Sequence, residues 1–513
     1  MRVDDYMVAP VVVVGGGIAG LSTALALEGC MVVANEAIGG GSSRLAQGGI
    51  AAALAQDDSP GSHAADTLRV SAGLADPEIV SMVTESAASR VDWLQAIGVE
   101  FDLTPTGALA LGREAGHSRH RIVHAGGDRT GAAIMRAMRE AVLQRDDIRV
   151  LEGFELVDLV TAGNRAAGVL LEGHDGLRLV VLAPQVVLAT GGIGGCFDRT
   201  TNPATSRGAG LAAAARRGVR LADLEFVQFH PTALAVDADP LPLLTEALRG
   251  AGALLLDESG DRFMASIHPD AELAPRDIVA RSVFAIGAQD RQVFLDSTVV
   301  PDLEKRFPGT WSLARAAGID AAKEPLPVTT AAHYHMGGIA TDAQGATSMR
   351  GLWACGEVAS TGLHGGNRLA SNSLLEGLVF GVRIAQAIRM QRLAPAMGPL
   401  ELPRGAPEQN TDTDRVAVLR QLIGSSLGPL RAESTMLVAV HALQSWKPDS
   451  RAEANLVCVA LQLLRAALER RESRGSHQRS DYPAQLANAP ARRFLKPEPV
   501  PLAMFEPLRR RVA

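Results

Sequence analysis

Cysteine is scarce in this 513-residue chain: Cys30, Cys196, Cys355 and Cys458 are scattered, with no CxxC pair and no finger spacing. That argues against a disulfide framework and against a structural metal site. An excess of positive charge is also missing. The net charge of -6 at pH 7 favours solubility and speaks against a nucleic-acid surface. The C-terminal PLRRRVA is short enough to read as a solvated basic end. The opening MRVDDYMVAP carries acids where a secretory signal would carry positive charge. No tandem repeat is evident. One apolar run, MVAPVVVVGGGIAGLSTALALEG, is long enough to suggest a membrane span, but three consecutive glycines before a helical pattern fit a buried strand, a tight turn and a helix better. These absences point to a cytoplasmic protein with no membrane or nucleic-acid partner. With 47% apolar and 21% charged residues, the composition is that of an ordinary soluble protein.

Glycine is what the chain has in excess. Its 52 glycines exceed the usual share of about 7%, and the surplus falls in loops that end apolar strands. After the β-branched run at 10–14, GGGIAG places Gly15, Gly17 and Gly20 in GxGxxG spacing. Gly15 permits a tight turn, Gly17 lets the backbone approach a pyrophosphate, and Gly20 lets the following helix pack against its sheet. The helix N-terminus offers unpaired N–H groups to phosphate. A second strand, CMVVANE, should end at the adenosine ribose, met by either Asn35 or Glu36. Further loops follow: IGGGSSRLAQGGIAA with Ser42, Gly48 and Gly49, PQVVLATGGIGG with Gly191 and Gly192, and GLWACGEVAS with Glu357, whose carboxylate can accept from a ribitol or ribose hydroxyl. A plain NAD domain does not need so many. An extended cofactor threaded along several strand ends explains them together, which favours FAD.

The periodicities predict an α/β architecture: a Rossmann-like FAD-binding domain with an inserted α+β capping domain and a C-terminal helical bundle. The first part of the FAD-binding domain spans 1–225 and contains a β-meander from IRVLEG to VVLAT. The cap spans 226–337 around a small, mixed sheet, and could expel water during chemistry. The FAD-binding domain resumes over 338–395. A Pro-rich, polar linker occupies 396–412, and helices with spacings of three and four fill 413–513.

As an ordered set, GGGIAG, SSRLAQGGIAA, GREAGHS, QFHPT, LLTEALRG, LAPRDIVAR, AAHYHMGG, GEVASTGLHGGNRLASNSLLEG and SRGSHQRSDYP resemble the flavoprotein family of succinate dehydrogenase, fumarate reductase and L-aspartate oxidase, the oxidase branch most closely. The motifs run from residue 11 to about residue 483. The resemblance implies a four-carbon dicarboxylate lying on the flavin. His230, His333 and Arg368 correspond to its carboxylate-binding groups, Thr245 and Glu246 to the pair beside it, and Arg276 to the arginine that transfers a proton. Ser371, Ser373 and Leu374 fall in the same loop region, Ser371 on the substrate side and the other two on the cofactor side. Glu114 separates the branches, since a carboxylate there can pair with the ammonium that aspartate has and succinate lacks. Ala115 and Gly366 are small-for-small departures from the family pattern. Ser42 stands where membrane-complex relatives carry a flavin-linked histidine, so the FAD is expected without a covalent bond. The implied reaction is FAD-dependent oxidation of L-aspartate to iminoaspartate, with dioxygen or fumarate as acceptor and functional coupling to quinolinate synthase. A soluble fumarate reductase and an electron-transfer flavoprotein subunit are the rival expectations.

Overall fold

The computed structural model describes residues 5–391, 393–395, 398–401, 412–487 and 492–497. Its centre is a five-stranded sheet in the order Leu352–Ala354, Val186–Leu188, Val12–Val14, Cys30–Ala34, Ile148–Glu152, every pair parallel. The inner strands are uninterrupted apolar runs, as expected of a parallel sheet covered on both faces; Val12, Val13, Val32, Val33, Val186 and Val187 are fully buried. Helix Ile18–Ala26 follows the first of them and packs on helix Asn372–Gln391. The fit is close because Gly377 and Gly381 face it: a Cβ on Gly381 would lie 2.8 Å from the Ser22 side chain.

The predicted meander divides. Phe154–Thr161, Ala166–Gly173 and Arg178–Leu182 pair antiparallel, with Asp5–Val8 added parallel at the edge. The flanking segments Ile148–Glu152 and Val186–Leu188 leave it for the parallel sheet. Val186–Leu188, apolar at every position, suits that sheet's centre better than a meander's edge.

The strands Val227–Leu234, Leu326–His335, Val293–Asp296 and Leu254–Asp257 form, in that order, a sheet in which every pair is antiparallel. The expectation of a mixed sheet is therefore corrected. Helix Arg276–Gly287 carries the chain back so that Val293–Asp296 runs against Leu254–Asp257. This region has its own hydrophobic core, with Leu248, Leu255, Val279, Val283 and Leu295 among its members.

Helices Thr413–Leu427, Glu433–Ser445 and Arg451–Glu469 pack on one another. Asp412 and Ser450 cap the first and third. Their apolar faces join the core beneath the parallel sheet, where Leu419, Ile423 and Leu463 meet Phe197 and Leu211. Residues 396–397 and 402–411 of the predicted linker and the basic tail at 507–513 lie outside the described residues. Among the described residues, no helix is long and apolar enough to cross a membrane, and the four cysteines are buried and free.

Candidate active site

A cavity of about 530 Å³ opens at the C-terminal ends of the parallel strands, where open α/β sheets bind ligands. Gly15, Gly17, Asn35, Glu36, Ser42, Gly48, Gly49, Gly191 and Glu357 line one end of it. At Gly15 the backbone has φ +129°, and a Cβ would fall 2.0 Å from Ala189 O. Helix Ile18–Ala26 presents its N-terminus here with no acid in its first turn and no cap from Gly17, although Ser43 Oγ accepts from Ile18 N at 3.1 Å. Gln47 Oε1, Thr190 Oγ1 and Asn202 Oδ1 belong to lining residues and have no hydrogen-bond partner among the described residues. A glycine turn, an open helix N-terminus and orphaned polar atoms fit a dinucleotide. Of the two candidates at the ribose, Asn35 Oδ1 is already 2.8 Å from His174 Nε2, whereas Glu36 is exposed at the rim. Gly20, read as a packing glycine within the cofactor motif, and Gly192, expected as a cofactor contact, both stand behind the wall. Gly20 abuts the Gly15 carbonyl, which a Cβ would approach to 1.9 Å, and Gly192 abuts the Glu357 carboxyl, at 2.1 Å. The need there is close packing between protein groups.

The other end is lined by Glu114, His230, Thr245, Glu246, Arg276, His333, Arg368 and Ser371, with Ser373 and Leu374 beside them. Arg276 binds Glu246 through Nε and Gln228 Oε1 through Nη1, at 3.0 Å for the latter. Arg368 donates from Nε to the same Gln228 oxygen (3.2 Å) and from Nη1 to Ser373 Oγ (2.9 Å), and its guanidinium lies 4.5 Å over the Tyr334 ring. Each arginine thus keeps Nη2 without a protein partner among the described residues. The His230 and His333 rings meet edge to face at 5.0 Å. Thr232 N donates to His230 Nδ1 at 3.3 Å, so His230 carries its proton on Nε2. Glu114 is 3% exposed and accepts from Ser371 Oγ at 2.6 Å; it does not pair with Arg113, which bonds His117 O.

Comparison with known proteins agrees with this arrangement. The FAD binding domain model matches residues 10–374, and that of the fumarate reductase flavoprotein C-terminus matches residues 419–496. The L-aspartate oxidase of Agrobacterium fabrum is 46% identical over 488 residues, covering 94% of this chain and 93% of that one. That of Streptomyces coelicolor is 44% identical over 518 residues, covering 92% and 89%. The chain belongs to the L-aspartate oxidase family. Among solved structures, the Sdh1 complex of Mycobacterium smegmatis superposes with a TM-score of 0.80 at 31% identity, covering 94% of this chain and 91% of that one. A variant of the Escherichia coli quinol fumarate reductase subunit FrdA gives 0.85 at 26%, covering 94% and 93%.

The family's cofactor is FAD, and the electrostatics of the cavity's far end suit a dianion. Burial, then the charge of Arg276, hold His230 well below its ordinary pKa; burial, then Arg368, do the same for His333. Both rings are neutral N–H donors at pH 7. Burial alone would raise Glu246, but Arg276 and Arg249 outweigh it and keep the group ionised. Glu114 goes the other way: burial and the charge of Glu246 raise it. Sequence reasoning missed Gln228, which is fully buried and ties the two arginines together. Its spacing of two from His230 on a strand was the available signal. It also missed Tyr334, the platform under Arg368, for which only proximity to His333 offered a hint.

Proposed function

We propose that this chain oxidises L-aspartate to iminoaspartate as the first step toward quinolinate and NAD, with non-covalently held FAD and with dioxygen or fumarate as acceptor. FAD, when bound, supplies the hydride-accepting ring. Gly15, Gly17 and the N-terminus of helix Ile18–Ala26 would hold its pyrophosphate, Glu36 a ribose, and Glu357 a further hydroxyl. Ser42 supports the non-covalent reading, since the loop at 41–49 contains no histidine.

The chain's own groups divide the substrate among them. Arg368 offers a guanidinium to one carboxylate. Thr245 and the neutral His230 and His333 suit the other. Arg276, fixed at two nitrogens by Glu246 and Gln228, is assigned to proton transfer and to stabilising negative charge as electrons move. Glu114 carries the reading, because a second acid beside Glu246, which Arg276 already pairs, has no use at a dicarboxylate site unless the ligand also bears a cation. An arriving ammonium offsets the burial and the Glu246 charge that raise the Glu114 carboxyl. Iminoaspartate hydrolyses in water, which favours functional coupling to quinolinate synthase in the cytoplasm.

The likeness to fumarate reductase structures favours a second reading, the same pocket run toward reduction. One experiment separates them: parallel assays of the parent and Glu114→Gln with L-aspartate, succinate and fumarate, with and without air. Losing a buried charge partner should lower kcat/KM on aspartate by roughly 30-fold to several thousand-fold and leave fumarate reduction much less affected. Equal effects on aspartate and fumarate would remove Glu114 as the amine partner. A parent that reduces fumarate rapidly but does not oxidise aspartate would make it a reductase.

A further inference from the structure

Ser371 has φ 62°, a left-handed conformation that L-residues avoid because Cβ crowds the following carbonyl. It persists where the surroundings over-determine it. Its hydroxyl accepts from Gly49 N at 3.2 Å, so the hydroxyl proton goes to Glu114 Oε2, at 2.6 Å. Orientation of the Glu114 carboxyl therefore depends on a strained residue.

Two buried histidines grip the residues on either side. His117 Nε2 lies 3.0 Å from Ala370 O, and His63 Nε2 lies 2.8 Å from Asn372 Oδ1. The partners fix both tautomers. A carbonyl only accepts, so His117 donates from Nε2, and its Nδ1 lone pair faces Arg121 Nη1 at 3.3 Å. The Thr67 hydroxyl donates to His63 O, and Asn372 Nδ2 donates to Thr67 Oγ1 at 3.1 Å. Asn372 Oδ1 is thus left to accept from His63. Burial takes His63 down to about 4 and His117 to about 3, in keeping with two neutral rings. Beneath them, Arg121 is fully buried and binds Asp58 at 2.8 Å and Asp66 at 2.6 Å. His63, Asp66 and Thr67 share one face of helix Pro60–Val70. The grip is mounted on a buried, ion-paired base.

We infer that His63 and His117 are positioning residues, a clamp that holds Ser371 in its left-handed conformation and thereby aims Glu114 at the substrate amine. The inference rests on Glu114 being the amine's partner, and the test separates the two. His117→Phe fills the ring's volume and removes its donor; it should raise KM for L-aspartate about tenfold, the loss of one buried hydrogen bond, with kcat less changed. Inhibition by succinate, which has no amine, should stay within about threefold. In H117Q the side-chain amide reaches the ring's Nε2 position and should restore most of the loss. S371G accepts the backbone conformation but lacks the hydroxyl, and should match H117F. If the clamp acts through Ser371, H117F on the S371G background adds little; additive effects overturn the inference. The same cycle with His63→Phe gives an independent arm should H117F fail to bind flavin, and additivity there refutes the clamp equally. Should E114Q leave discrimination between aspartate and succinate intact, the functional reading fails. Should E114Q abolish it while H117F weakens both ligands alike, the clamp alone fails.

Discussion

Replacing Arg368 with leucine removes one guanidinium from the most charged part of the cavity. The side chain is 5% exposed, stacked over Tyr334, and fixed at Nε and Nη1. Its loss leaves little stranded: Gln228 Oε1 keeps Arg276, and Ser373 Oγ borders the cavity. The fold should therefore tolerate the change, with the penalty falling on the ligand. A substrate carboxylate left without its partner in a buried site costs about 2–5 kcal/mol, or roughly 30-fold to several thousand-fold in kcat/KM. Burial is the first cause that holds His333 and His230 down, with Arg276 also acting on both, so both rings should stay neutral in R368L and leave the lost cation unreplaced. The assay is kcat/KM on L-aspartate from pH 6 to 9, beside flavin content and thermal stability. Flavin content near the parent's, with a similar deficit at pH 6 and pH 9, is the expected result. Activity within twofold of the parent at every pH would place Arg368 outside the substrate's reach and refute the reasoning.

Acid precipitation of the purified protein should release its flavin into the supernatant; flavin left in the pellet would overturn the reading of Ser42. Glu357 gives a pH dependence of cofactor affinity: burial first, and the charge of Glu376, push its carboxyl up to about 7. A hydroxyl donating to it favours the carboxylate, so FAD binding releases a proton below that pH, tightens as pH rises toward 7, and levels off above. Fluorescence titration of the apoprotein at pH 6 and 8 should show this difference in the parent and not in Glu357→Gln; equal slopes in the two would remove Glu357 from the cofactor.

The parts of the site that were legible in the sequence are those where chemistry acts on a residue and its immediate neighbours. A Cβ on Gly49 would fall 2.1 Å from Val123 O, and one on Gly15 would strike Ala189 O, so only glycine fits and the letter announces the turn. At Gly20 the packing role read from the motif holds, but the same logic misled at Gly192, because a glycine spared for packing and one spared for a ligand are written alike. Strand type failed for a related reason. An apolar run such as Val186–Leu188 is equally good in a meander or a parallel sheet, and the choice is made by Val12–Val14 and Leu352–Ala354, far away in sequence. What stayed illegible is what depends on partners across the fold. Gln228 acquires its role from Arg276 and Arg368, 48 and 140 residues away. His63 acquires its role from Asn372, 309 residues on. A histidine carries no mark of its tautomer; only the groups that meet its two nitrogens decide which one donates. The strain at Ser371 is hidden more completely still. Where a fold needs a left-handed backbone and nothing else, it uses glycine, but here the position also needs a hydroxyl for Glu114. The two demands fall on one residue, and the sequence records only the second.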